Sequence, residues 1–177
     1  MQRRRILIWL AFFLLFIFEG AVFPWIIPVD WQSKAGLIPH LVLVGVFYLS
    51  IYANRHEALL FGLFFGLLQD IAYYGHMLGP HSFCMGMAGY LTNIAIRRIH
   101  IHLMSTLTIM ALGSFIYDAT IYGIYRLFQV ISVPFAWTVT HQILPTMLIA
   151  VLTALLLYVP ARQYLEVRRL ENGERAA

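Results

Sequence analysis

Two carboxylates, Asp70 and Asp118, lie within runs of residues that are otherwise apolar enough to cross a membrane. A carboxylate at bilayer depth costs roughly 2.5 to 3.5 kcal/mol on insertion scales, so it faces protein or water and marks a candidate site. On a helix, Asp118 shares a polar face with Ser114 one turn before it and Tyr122 one turn after it. Such acids with hydroxyl neighbours are suited to carrying a proton or a cation, but we favour a structural hydrogen-bonding role.

Asp70 is also the last member of a stripe of residues that recur every four positions. Gly62 and Gly66 precede it, and Tyr73 and Tyr74 follow it by one turn. Small residues at this spacing let two helix backbones approach closely. The stripe either packs against a helix of the same chain, which we favour, or holds the helix of a partner. In both cases Asp70 needs a polar partner, which we expect to be the preceding glutamine, a tyrosine or a donor on another helix.

The histidines are the other candidates for chemistry, as metal ligands. His100 and His102 are two residues apart and point to different faces of any helix, while His76 and His81 lie in a predicted loop. His40 stands near a predicted helix end, where we expect a hydrogen bond at the membrane interface. The sequence therefore predicts no metal site and no cofactor.

No other residue pattern indicates catalysis. The chain has no G-x-S-x-G elbow, no H-E-x-x-H motif, no P-loop and no G-x-G-x-x-G motif. Glu19 lies near the outer end of the first apolar segment, where we expect it to reach headgroup water. Cys84 is the one cysteine, and we expect it to pack as a small apolar residue. We predict that the protein is not an enzyme.

The composition places these residues in an integral membrane protein. The chain is 61% hydrophobic and 11% charged, against roughly 45 to 50% apolar and 25% charged residues in soluble domains. The net charge of +4 does not indicate nucleic-acid binding, because most arginines stand at the ends of apolar segments. We predict one membrane domain over residues 1–177.

Six apolar segments meet or approach the roughly 20 residues that a helix needs to cross about 30 Å of hydrocarbon. They are residues 6–23, 37–53, 58–74, 83–96, 103–125 and 143–159. With this count, all of the 12 Lys and Arg residues except Lys34 and Arg126 fall on one side, as the positive-inside rule requires of the cytoplasmic side. The prediction is an all-α, polytopic bundle of six transmembrane helices, with both termini and a tail over residues 162–177 in the cytoplasm.

Residues 62–90 resemble the MreD family of rod shape-determining membrane proteins. The resemblance comprises the Gly-x-x-x-Gly-Leu-x-x-Asp helix at 62–70, the aromatic residues after it, Leu78-Gly79, Phe83 and Gly89-Tyr90. It implies a non-catalytic scaffold in the bacterial cell membrane that binds an MreC-like single-span protein, together with other elongation-complex proteins. Such a scaffold helps to couple MreB filaments to peptidoglycan synthesis. Under this hypothesis the residues for partner binding or helix packing are Gly62, Gly66, Asp70, Tyr73, Tyr74, Gly79, Gly89 and Tyr90.

Two other functions stay open. The family is similar in architecture to the S-components of energy-coupling-factor transporters, which implies a substrate-binding subunit for a vitamin-type small molecule. Its pocket would lie beneath the outer loops, lined by tyrosines and closed by the loop 76–82. A proton-coupled carrier that uses Asp70 and Asp118 is the third hypothesis.

Overall fold

The computed structural model describes residues 2–22, 39–74, 77–96 and 102–173, and the regular structure in these ranges is entirely helical. The helices are α1 Gln2–Ile17, α2 Leu41–Tyr52, α3 Arg55–Gln69, α4 Pro80–Ile96, α5 Leu103–Leu127, α6 Phe135–Thr138 and α7 Leu144–Gly173. Three π-helical turns accompany them: Phe18–Val22 after α1, Asp70–Tyr74 after α3 and Val139–Ile143 between α6 and α7. The all-α prediction is confirmed for these residues.

Two helical stretches in the described ranges are long and apolar enough to cross a membrane. They are Leu103–Leu127 and Phe135–Val159, each with 25 residues. Only 28% and 22% of the most apolar window in each is buried inside the chain, so both present large apolar faces outward. Two shorter helices, Ile6–Ala21 and Leu41–Tyr52, are also apolar.

Helix α2 is the centre of the bundle. All of its residues are buried, and it packs against α1, α3, α4, α5 and α7. A helix that is apolar on every side fits this position, because no face of it has to meet solvent. The remaining helices surround α2 and carry polar side chains toward its two ends.

Helices α3 and α4 form the most closely packed pair. A Cβ atom added at Gly62 would lie 2.7 Å from the Cα of Gly86, and one added at Gly66 would lie 2.5 Å from the Cα of Ser82. Both distances are too short for a real side chain, so glycine permits this approach. The stripe of small residues on α3 is therefore covered by α4 of the same chain.

Several helix bounds differ from the predicted segments; α3, for example, begins at Arg55 instead of residue 58. Helix α4 begins at Pro80 instead of residue 83, because proline suits the first turn of a helix, where its missing N–H is not needed. The last helical stretch begins at Phe135 instead of residue 143 and extends to Gly173, so residues 162–173 of the predicted tail are helical. Several predictions fall on His76, His100, Lys34, residue 23, residues 37–38 and the side chain of Tyr74, all of which lie outside the described residues.

Candidate functional site

Asp70 connects the end of α3 to the start of α4. Its side chain is fully buried on the π-helical turn after α3. Oδ2 accepts hydrogen bonds from the backbone N–H groups of Gly79 at 3.0 Å and Ser82 at 3.1 Å. Oδ1 accepts from the backbone N–H of His81 at 3.3 Å and from its ring Nδ1 at 2.8 Å. The carboxylate thus satisfies N–H groups at the start of α4 that have no partner within the helix, and the helix dipole favours a negative charge there.

The backbone before α4 is shaped to make this contact. Gly79 has a φ angle of +114°, which residues with a Cβ rarely adopt. His81, which we predicted to lie in a loop, is instead buried in the first turn of α4, where its ring can reach Asp70. Of the partners expected for Asp70, the structure shows the donor on another helix, which is His81. Gln69 bonds to Glu19 instead.

Glu19 makes a second contact of the same kind. Oε2 accepts a hydrogen bond from the backbone N–H of Val42 at 3.0 Å, in the first turn of α2, and Oε1 accepts from Nε2 of Gln69 at 2.8 Å. The prediction that Glu19 reaches headgroup water was wrong, because its side chain is buried. The π-helical turn Phe18–Val22 carries it to the start of α2, where exposed N–H groups need an acceptor.

Asp118 on α5 pairs with His40, the residue directly before α2. The distance between Nε2 of His40 and Oδ1 of Asp118 is 2.8 Å. His40 is only 4% exposed, so the expectation of an interfacial hydrogen bond was wrong. Ser114 and Tyr122 share a face of α5 with Asp118, as predicted, but no hydrogen bond joins either of them to Asp118 among the described residues. The hydroxyl of Tyr122 donates to the carbonyl of Val133 at 2.7 Å. Oγ of Ser114 has no hydrogen-bond partner among the described residues.

The two histidine–aspartate pairs lie on either side of one tyrosine. The ring of Tyr117 is edge-on to that of His40 at 5.2 Å and to that of His81 at 6.3 Å between centroids. The fold therefore brings Asp70 and Asp118 to the same end of the bundle, each with its own histidine. We name Glu19, Gln69, His40, Asp118, Asp70 and His81 the outer polar cluster, since they lie at the end predicted to face away from the cytoplasm.

A cavity of about 270 Å³ opens beside this cluster. It lies between α5 and the junction of α6 and α7, and its walls include His40, Tyr117, Asp118, Tyr122, Tyr125 and Gln142. Its walls come from four separate parts of the chain, so no local pattern in the sequence predicts which residues line it.

The geometry limits the chemistry that the cluster can perform. A nucleophile needs a hydrogen bond to its base, and the hydroxyl of Ser114 makes none to His40. The described residues include no group of three or more His, Cys, Asp or Glu side chains arranged to hold a metal ion. What the cluster visibly does is hold the ends of helices together.

The remaining predicted residues lie apart from the cavity. Tyr73 donates a hydrogen bond to the carbonyl of Phe16 at 3.0 Å and stacks on its ring. The carbonyl of Gly89 accepts from Ser50 at 2.6 Å. The ring of Tyr90 lies 5.7 Å from the guanidinium of Arg55.

One contact near the opposite end of the bundle was not predicted from the sequence. Nδ2 of Asn93 donates to the carbonyls of Ser50 at 2.5 Å and Ala53 at 3.1 Å. This amide satisfies carbonyls at the end of α2 that have no partner within the helix. Its only signal in the sequence is a single amide within an apolar segment.

Comparisons with known proteins agree with the resemblance of residues 62–90. The family described as rod shape-determining protein MreD matches residues 2–168. Rod shape-determining protein MreD of Bacillus subtilis (strain 168) is 28% identical over 130 residues, which cover 72% of this chain and 74% of that protein. No solved structure matches, so the likeness to transporter S-components stays a prediction. With a family match over nearly its whole length, this chain belongs to the MreD family of rod shape-determining membrane proteins.

Proposed function

We propose that this protein is a non-catalytic membrane scaffold of the bacterial cell-elongation machinery, folded as one domain of six transmembrane helices with both termini in the cytoplasm. One observation carries the scaffold role. The three acids of the outer polar cluster each bond to the start of another helix or to the residue before it. Acids used in this way fix helix positions, and a fixed surface is what a scaffold offers its partners.

The partner that we propose is an MreC-like single-span membrane protein, through which the scaffold helps to couple MreB filaments to peptidoglycan synthesis. Its helix cannot use Gly62 and Gly66, because α4 already covers them. The face of α3 that stays exposed, together with the π-helical turn after it, carries large apolar residues at helical spacing: Leu60, Phe64, Leu67 and Ile71. We propose that the partner helix packs on this face, beside the residues that carry the family resemblance.

A bulky substitution on this face tests the proposal. Leu67→Trp should reduce co-purification of a co-expressed MreC-like protein, because an indole at the centre of the face keeps the partner helix at a distance. Leu112→Trp on α5 is the matched control, since Leu112 is also exposed and apolar. Equal capture by both variants would place the partner elsewhere, and no capture by the wild-type chain would refute the scaffold function.

The six-helix topology has its own test. Reporter fusions at the two ends of the chain should both report the cytoplasm, because the basic residues flank segments on one side. Ends on opposite sides of the membrane would require an odd number of spans and would overturn the proposal.

A second candidate function is binding of a small molecule, as in a vitamin-type transporter subunit. The cavity beside the outer polar cluster favours it, since three tyrosines contribute to its lining and cavities between the helices of a bundle are ordinary ligand sites. Titration of the purified chain with a panel of vitamins separates the two candidates: saturable binding supports the ligand-binding function, and partner capture without binding supports the scaffold alone.

A further inference from the structure

Two residues that line the cavity beside the outer polar cluster carry hydrogen-bond acceptors that the protein leaves unused. Nε2 of His40 donates to Oδ1 of Asp118, so the other ring nitrogen of a neutral His40 is an acceptor. That atom, Nδ1, and the second carboxylate oxygen of Asp118, Oδ2, are both buried without a hydrogen-bond partner in the described parts of the chain. Buried polar atoms without partners are costly, and a ligand that supplies donors removes this cost.

The other walls of the cavity favour a positive charge. Three tyrosines, Tyr117, Tyr122 and Tyr125, contribute to the lining, and aromatic faces attract cations. None of the described lining residues is Lys or Arg. The guanidinium of Arg126, which is not a lining residue, donates to the hydroxyl of Tyr122 at 3.0 Å and to the carbonyl of Val133 at 2.9 Å.

The volume of the cavity limits the size of the ligand that it can hold. The volume of about 270 Å³ lies just below the range of roughly 300 to 1,000 Å³ that is usual for drug-sized ligands. The lining is mostly apolar in area, and its polar side chains include His40, Asp118 and Gln142. Such a cavity suits a small ligand with one charged end and a short apolar body.

We propose that this cavity binds a small organic cation, whose ammonium group donates hydrogen bonds to Oδ2 of Asp118 and Nδ1 of His40 while its apolar body contacts the tyrosines. This inference rests on the ligand-binding candidate function and adds the chemical class of the ligand. It does not depend on the scaffold function, because the exposed face of α3 is a separate surface.

Three matched probes test the charge requirement: phenethylamine, its neutral analogue phenethyl alcohol and the anion phenylacetate. Each is titrated calorimetrically into the full chain in lipid nanodiscs, with empty nanodiscs as the blank. We expect saturable binding of the amine, with the alcohol at least about tenfold weaker, because a hydrogen bond to a charged group contributes more than one to a neutral group. Phenylacetate should not bind, since Asp118 repels it.

Two variants test the location. Asp118→Asn should weaken amine binding at least about tenfold and leave the affinity for the alcohol nearly unchanged, because only the charge is lost. Gln142→Trp should block both ligands, because this exposed residue lines the cavity without belonging to the His40–Asp118 pair. Leu148→Trp is its control, since Leu148 is exposed on α7 and does not line the cavity. Gln142→Trp also keeps the test valid if Asp118→Asn fails to fold.

The outcomes separate the two claims. The claim that the ligand is a cation is overturned if the alcohol or phenylacetate binds as tightly as the amine. It is also overturned if a vitamin binds and the amine does not. In both cases the ligand-binding function stands. If no probe and no vitamin binds, both are overturned. If the amine binds equally well to the wild-type chain and to both the Asp118→Asn and Gln142→Trp variants, its site lies elsewhere and the proposal is wrong.

Discussion

Adding one methyl group at Gly66 should destabilise the protein, whereas the same change at Gly123 should not. A Cβ atom at Gly66 would lie 2.5 Å from the Cα of Ser82, 2.7 Å from the carbonyl oxygen of His81 and 2.8 Å from the N of Ser82. These are backbone atoms of α4, which cannot move aside as a flexible side chain does. At Gly123 nothing lies within 4 Å of the added Cβ atom.

The magnitude follows from the movement that the methyl group forces. Ordinary contact begins at 3.4 Å, so the helices must separate locally by about 0.9 Å, the difference between 3.4 and 2.5 Å. Overpacking of this kind costs about 1 to 3 kcal/mol. The same movement lengthens the hydrogen bonds from α4 to Asp70, and a bond to a charged group contributes about 1.5 to 3 kcal/mol. Because alanine favours a helix over glycine by about 1 kcal/mol, part of this cost is offset. We therefore expect Gly66→Ala to lower the free energy of unfolding by about 1.5 to 5 kcal/mol.

The assay is reversible unfolding in mixed micelles, followed by circular dichroism as the fraction of denaturing detergent rises. Gly66→Ala should unfold at a clearly lower fraction than the wild-type chain. Gly123→Ala should unfold at the same fraction or a higher one, because it gains only helix propensity, about 1 kcal/mol. Equal stability of the two variants would show that α3 and α4 do not approach as closely as the structure has them, and that Asp70 does not depend on this approach.

Three further predictions concern the buried polar contacts and the packing of α4. Asp70→Asn should lower the free energy of unfolding by about 1 to 3 kcal/mol, because donors at the start of α4 lose their charged acceptor; wild-type stability in the same titration would argue against the capping role. Glu19→Ala should cost a similar amount in the same titration, whereas wild-type stability would mean that the packing of α1 against α2 does not depend on this contact. Cys84 is buried on α4, so a membrane-permeant maleimide should label it slowly in the wild-type chain and faster in Gly66→Ala; equal rates would show that the methyl group does not loosen α4.

The sequence alone was enough to predict that the protein is all-helical and that Gly62, Gly66 and Asp70 form one stripe with a packing or binding role. Hydropathy and spacing act over neighbouring residues, so an acid in an apolar run and glycines four residues apart are visible without a fold. The resemblance to the MreD family rests on the same short stretch, and the family match extends it over residues 2–168.

Only the tertiary structure decided which groups the acids meet. His40 and Asp118 are 78 positions apart, and Glu19 and Gln69 are 50 apart, so no local pattern connects them. The π-helical turns that carry Glu19 and Asp70 shift the direction of the side chains that follow, and they have no reliable signature in the sequence. The rotation of each packed helix, which is set by contacts between distant residues, determines whether an acid reaches lipid, a histidine or the start of another helix.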